Sequence, residues 1–142
     1  MPSTVTDLPF NKHIGVQLAS TDDGLLELPA GGQYLNHLGT VHASAQFALA
    51  EASSGEFLLR SFGADSGLIA VVRRAEVKFR KPGTGTITSV VTTPIDAIES
   101  AANAIAKSGR CLFNVSVELH DETGSRILMA TFEWFLAHAN KS

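Results

Sequence analysis

HASAQFALAEASSGEFLLRSF, residues 42–62, is the stretch on which the architecture turns. It holds no proline and a single glycine, Gly55, and its ionisable side chains after His42 are Glu51, Glu56 and Arg60. Ala43, Ala45, Phe47, Ala48, Leu49, Ala50, Ala52, Phe57, Leu58 and Leu59 leave almost no polar face. A helix that is apolar nearly all round is buried on several sides. At ~1.5 Å per residue it would reach about 31 Å, well above the mean helix. The stretch predicts a central helix, and the rest of the chain must wrap it.

Outward from that helix the chain reads as strands. Before it, residues 1–11 carry Pro2 and Pro9 and read as a loose lead-in. Val16–Ser20 and Gly24–Pro29 are short apolar runs separated by the turn signal Thr21-Asp22-Asp23-Gly24, and Ala30-Gly31-Gly32 opens a loop to about Val41. After the helix, Leu68–Lys81 ends in alternation: Ala75, Val77 and Phe79 on one face, Glu76, Lys78 and Arg80 on the other. Arg73-Arg74 breaks the parity, which predicts a bulge. Thr86–Thr93 is a β-branched run, and Pro94–Lys107 an amphipathic helix stopped by Gly109. Arg110–His120 and Arg126–Ala137 alternate on either side of Asp121-Glu122-Thr123-Gly124. Two strands, a long buried helix and four more strands make an α+β plan, an antiparallel sheet with a helix on one face.

Composition bounds the function. A chain of 142 residues is one domain, residues 1–142, long enough to bury about 68% of its unfolded surface. Eleven Lys and Arg against fourteen Asp and Glu leave no basic excess for phosphate backbones, so no nucleic-acid partner is expected. Cys111 is the only cysteine, which excludes a disulfide framework and a CxxC metal site. No apolar run approaches the ~18 residues that span a bilayer, so no membrane is expected. MPSTVTDLPFNKH lacks a charged region followed by an apolar one, so the expected location is cytoplasmic.

The chemistry gathers around the start and middle of the long helix. Glu51 sits among Ala50, Ala52, Phe47 and Gly55, where a carboxylate is costly unless solvated, paired or protonated. Burial raises its pKa, which suits a base working near neutrality. A carboxylate pointing to solvent, or capped by Ser54, is the plain alternative. Gly39 and Thr40 precede the first free N–H groups near His42–Ser44, where the positive end of the helix favours an oxyanion. Nine residues separate His42 from Glu51. On a helix they lie on opposite faces, about 13 Å apart along the axis, so one chain cannot aim both at one carbonyl. If both act, two chains contribute and a symmetric dimer holds two equivalent sites. His37, His42 and Glu51 have the wrong spacing for one metal ion, and no metal is expected. Arg73, Arg74, Lys78, Arg80 and Lys81 concentrate five cations within nine positions, as a solvated strand face or a contact for phosphates.

Asn36, Gly39-Thr40-Val41-His42 and Glu51 nine positions after the histidine resemble the hotdog-fold acyl-CoA thioesterases of the phenylacetate-degradation and hydroxybenzoyl-CoA type. Phe79-Arg80-Lys81-Pro82-Gly83 looks like the family's strand end. Asp121-Glu122-Thr123-Gly124 with Leu128-Met129-Ala130-Thr131 is similar to its last hairpin. The resemblance spans about residues 8–137 and departs at Ala43-Ser44, where the family has Gly-Gly. It implies a hotdog fold, an antiparallel sheet wrapped around one long helix. It further implies hydrolysis of a CoA thioester, with coenzyme A as part of the substrate and no separate cofactor. Glu51 would be nucleophile or general base, and the Ala43 N–H would supply the oxyanion hole. Asn36 would hold the attacking water or the carbonyl, and His42 would be catalytic or a helix-start residue. Gly39, Thr40, Ser44, Phe47, Ser54, Arg73, Arg80 and Lys81 would meet the substrate. The implied assembly is a homodimer or a dimer of dimers (a homotetramer). A non-catalytic acyl-CoA-binding or sensing protein on the same fold is the main rival, and a hotdog hydratase, whose His/Asp signatures are missing, ranks below it.

Overall fold

The structure is a computed structural model and describes residues 2–139. The elements are α1 (Pro9–Ile14), β1 (Gln17–Leu18), β2 (Leu26–Leu28), α2 (Ala43–Phe62), β3 (Leu68–Phe79), β4 (Ile87–Val91), α3 (Ala97–Ser108), β5 (Arg110–His120) and β6 (Arg126–His138). Short 3-10 turns stand at Val5–Asp7 and Gly32–Tyr34. The six strands form one antiparallel sheet in the order β1-β2-β4-β5-β6-β3. Helix α2 packs against β2, β4, β5 and β6, which is the hotdog arrangement.

Alternation makes this possible. On β5, Phe113, Val115, Val117 and Leu119 are buried, and on β6 Leu128, Ala130, Phe132, Trp134 and Leu136. The two rows face each other in register, Val115 opposite Phe132 and Val117 opposite Ala130. Leu49, Ala50 and Ala52 of α2 are buried with them. Small residues on the helix let the sheet approach it closely, while each large side chain buried is worth roughly 1.5–3 kcal/mol. Two hydrogen bonds fix the helix rotation: Trp134 Nε1–H donates to Ser54 Oγ at 3.0 Å, and the Ser53 and Ser89 hydroxyls lie 2.6 Å apart.

The bulge falls where the parity breaks, between Val72 and Arg74. β3 lies at the sheet edge, with β6 as its one strand partner among the described residues, and most of its side chains are exposed. β4 pairs β5 only over Val117–His120, and α3, amphipathic as its sequence predicts, packs beside the remainder of β5.

The lead-in is the correction. The expected loose lead-in over residues 1–11 is not found in its described part, residues 2–11: Val5 and Asn11 are buried, and α1 begins at Pro9. Asn11 Nδ2 donates to the Val5 carbonyl at 2.9 Å. Val5 N–H and Thr4 Oγ–H donate to Glu56 Oε1 at 2.9 and 3.0 Å, and Arg60 Nε donates to Glu56 Oε2 at 2.7 Å. Proline at the first helical position and Gly15 just past the last are ordinary helix limits, and both stand in the sequence.

The Ser53–Ser89 contact generates a stability test. Ser89 Oγ also accepts from the buried Leu26 N–H at 3.0 Å. Ser89→Ala leaves that donor unpaired and should cost about 1–3 kcal/mol, read as a lower urea midpoint with unchanged slope. Ser108→Ala, at an exposed helix end, should stay within about 0.5 kcal/mol of the parent.

Candidate functional site

The site is built from the loop that delivers the chain into α2. Asn36 Oδ1 accepts from Leu38 N–H at 2.9 Å and Thr40 N–H at 3.1 Å, while its Nδ2 donates to Thr40 Oγ1 at 3.0 Å. This closes a tight turn in which Gly39 has φ +78°, a conformation that favours glycine. Leu35 and Val41 pair as an isolated bridge, His42 N–H donates to the Tyr34 carbonyl at 2.7 Å, and Val41 N–H to that of Gly83 at 2.9 Å. The loop after β3 is thus stitched to the helix start.

His42 is the N-cap of α2. Its Nδ1 accepts from Ser44 N–H at 3.0 Å, which leaves the proton of the neutral ring on Nε2. Capping takes the Ser44 donor. The Ala43 N–H has no hydrogen-bond partner among the described residues and sits at the exposed, positive end of a twenty-residue helix. Asn36 retains one amide N–H without a partner among the described residues. Two donors of the kind a carbonyl oxygen requires therefore stand within one loop.

Glu51 lies two turns further along α2. It is half-buried, and among the described residues its carboxylate accepts no hydrogen bond and joins no ion pair. Desolvation by burial raises its pKa above the ordinary value of 4.5. Glu56, five residues on, is the opposite case: 1% exposed and held by three donors, it is a structural carboxylate. Sequence reasoning passed over Glu56 because its partners Thr4 and Val5 are remote in the chain.

About 12 Å of helix axis separates the Ala43 N–H from Glu51. An open groove of about 680 Å³ lies between α1 and the start of α2; His42 and Ser44 line it and Glu51 does not. Phe47 is 38% exposed and stacks edge-on against Phe132 at 5.6 Å between ring centres. Ser54 is fully buried, its hydroxyl engaged by the Glu51 carbonyl at 2.7 Å and by Trp134, so it supports the helix under Glu51 from inside the core. Arg73 is the extra residue of the bulge. Arg74 and Lys78 point away from α2 beside Glu76 and Glu133 or Glu118, and Arg80 Nη1 lies 3.9 Å from Met129 Sδ. Lys81 is exposed at the strand end, and none of these five cations pairs with a carboxylate among the described residues.

A family model described as a domain of unknown function (DUF4442) matches residues 5–136. Among solved structures, a protein of unknown function from Pseudomonas aeruginosa, described as a probable thioesterase, superposes with a TM-score of 0.80 at 23% identity, covering 95% of this chain and 91% of that one. A thioesterase from Haemophilus influenzae gives a TM-score of 0.67 at 14% identity over 94% of this chain and 86% of that one. A hypothetical thioesterase from Streptococcus pneumoniae, solved with coenzyme A, gives 0.57 at 18% identity over 87% and 88%. At such identities the likeness shows the shared fold alone. None of the curated proteins matches this sequence. The family match runs from the tied-down N-terminal segment to residue 136, within β6, and the chain belongs to the DUF4442 family of domains of unknown function.

Proposed function

We propose that the protein is an acyl-CoA thioesterase that works as a homodimer, with Glu51 of one protomer facing the helix start of the other. The observation that carries this reading is Glu51 itself: a half-desolvated carboxylate without a partner among the described residues, on a helix whose other carboxylate is fully satisfied. The thioesterase names of proteins with the same fold, and the coenzyme A in one of them, support the substrate class.

The chemistry asks little more. Glu51 takes a proton from water as the water oxygen bonds to the thioester carbonyl carbon. The oxyanion that forms is met by the Ala43 N–H and the free Asn36 N–H. Collapse breaks the C–S bond, and the proton passes from Glu51 to the departing sulfur. Direct attack by Glu51, giving an anhydride that water then opens, uses the same atoms. Arg73, Arg80 and Lys81 are proposed to contact the phosphates of coenzyme A, which their lack of carboxylate partners leaves them free to do.

The dimer follows from β3. Twelve residues of edge strand expose Ile69 (50%), Val71 (54%) and Phe79 (49%). Such an edge invites pairing, and a second copy of β3 is the occupant whose symmetry yields two equivalent sites. A second reading, binding without catalysis, has one observation in its favour. Ala43-Ser44 stands where glycines would be, and the Ser44 N–H is taken by His42.

Glu51→Gln tests both the reading and its rival. Hydrolysis of CoA thioesters should fall at least ~100-fold, the scale of losing a positioned base. Unchanged hydrolysis would remove Glu51 from the mechanism, and no hydrolysis by the parent would favour the binding protein. The acid limb of kcat/KM should lie above the ordinary glutamate range.

Stability should respond in a definite direction. Because burial raises the folded-state pKa, folding binds this proton, and the stability it contributes is full below 4.5 and lost as pH rises through the raised value. Glu51→Gln removes that loss. Urea midpoints of variant and parent should differ little in acid and diverge in the variant's favour towards neutrality.

A further inference from the structure

We infer that the acyl group lies in the groove between α1 and the first turns of α2, so that the N-terminal segment sets which acyl groups are accepted. This rests on the thioesterase reading above and names the part of the substrate that the groove holds. Phe10 and Ile14 of α1, Tyr34 and Leu35 of the loop, and Ala45 and Ala48 of α2 supply its apolar lining. At about 680 Å³ the groove falls within the ~300–1,000 Å³ of small-molecule sites.

Its chemistry selects among the parts of an acyl-CoA. Among the described residues no carboxylate, lysine or arginine lines it; besides Tyr34 its polar side chains are His13, Gln33, His42 and Ser44, so nucleotide phosphates would find no permanent cation there. An apolar acyl chain loses nothing on entering and gains by leaving water. The groove also reaches the helix start. His42 and Ser44, on either side of the Ala43 N–H, line it too, so a carbonyl held at the helix start has its acyl substituent beside the opening. Ala45 and Ala48 leave space that any larger side chain would take.

The lining is fixed. Tyr34 Oη–H donates to the Ile14 carbonyl. Gly15, with φ +94°, ends α1 where a Cβ would run into the Tyr34 hydroxyl. Behind α1, Asn11 holds Val5, and Val5 is held by the buried Glu56 of α2. A segment anchored to the catalytic helix by an internal carboxylate can act as a rigid gauge of acyl size.

The test is the slope of kcat/KM against acyl length, from acetyl- to octanoyl-CoA, for the parent, Ala48→Phe and Phe10→Ala. In the parent kcat/KM should climb with length. Ala48→Phe should reduce octanoyl-CoA at least ~10-fold more than acetyl-CoA, since one methylene in an apolar pocket already changes discrimination by about 10–200-fold. Phe10→Ala, at a position 63% exposed and tolerant of truncation, should flatten the slope in the same direction and keeps the test open if Ala48→Phe does not fold. Parallel losses at every length would overturn the inference.

Calorimetry with S-ethyl- and S-octyl-CoA, which cannot be hydrolysed, separates this inference from the reading it rests on. If the parent hydrolyses no thioester, the catalytic reading fails, yet tighter binding of the octyl thioether that is lost in Ala48→Phe upholds the groove. Equal affinities for both thioethers in the parent overturn it.

Discussion

A carboxylate on an apolar helix, about 12 Å along the axis from the free Ala43 N–H at that helix's own start, constrains everything else in this molecule. The sheet must wrap α2 to bury it, yet must leave Glu51 enough access to act and the first turn open to a ligand. The order β1-β2-β4-β5-β6-β3 does this by closing the sheet over the middle of α2 and leaving β3 beyond it, paired on one side only. The same separation keeps one chain from completing the proposed site. The proposed second copy would answer both the exposed edge of β3 and the incomplete site.

The two glutamates of α2 illustrate how environment assigns roles to identical side chains. Glu56 meets two donors from the N-terminal segment and one from Arg60, so its charge is compensated and its task is to hold that segment. Glu51 meets none among the described residues and carries the cost of desolvation, seen as a raised pKa. A free-energy cost retained on an otherwise accommodating helix is what the base proposed for Glu51 would require.

Much of this was legible in the sequence, for reasons that can be named. The long helix was visible because apolar residues surround it, and the bulge because Arg73 shifts a period-two pattern by one. The last two strands alternate without a break, and their register followed. The lead-in over residues 1–11 reads as loose because α1 has only six residues, too few for a periodic signal, although Pro9 and Gly15 bracket it. Its burial depends on Glu56, some fifty positions away, and no local pattern records such a contact. For the same reason the sequence could nominate Ser54 and Asn36 for the substrate. It could not show that Ser54 faces Trp134, or that Asn36 folds its own loop with one N–H to spare.

Subunit complementation tests the central claim most directly. Glu51→Gln removes the base, and Ala43→Pro removes the N–H at the helix start, where proline is tolerated in the first turn. Each variant alone should be folded, dimeric and nearly inactive. Mixed and reassembled, they should regain hydrolysis through the one site in each heterodimer where an intact Glu51 faces an intact helix start. A verified heterodimer of two folded, inactive variants that recovers no activity would show that the two groups do not meet across the interface, and would contradict the mechanism whatever the fold.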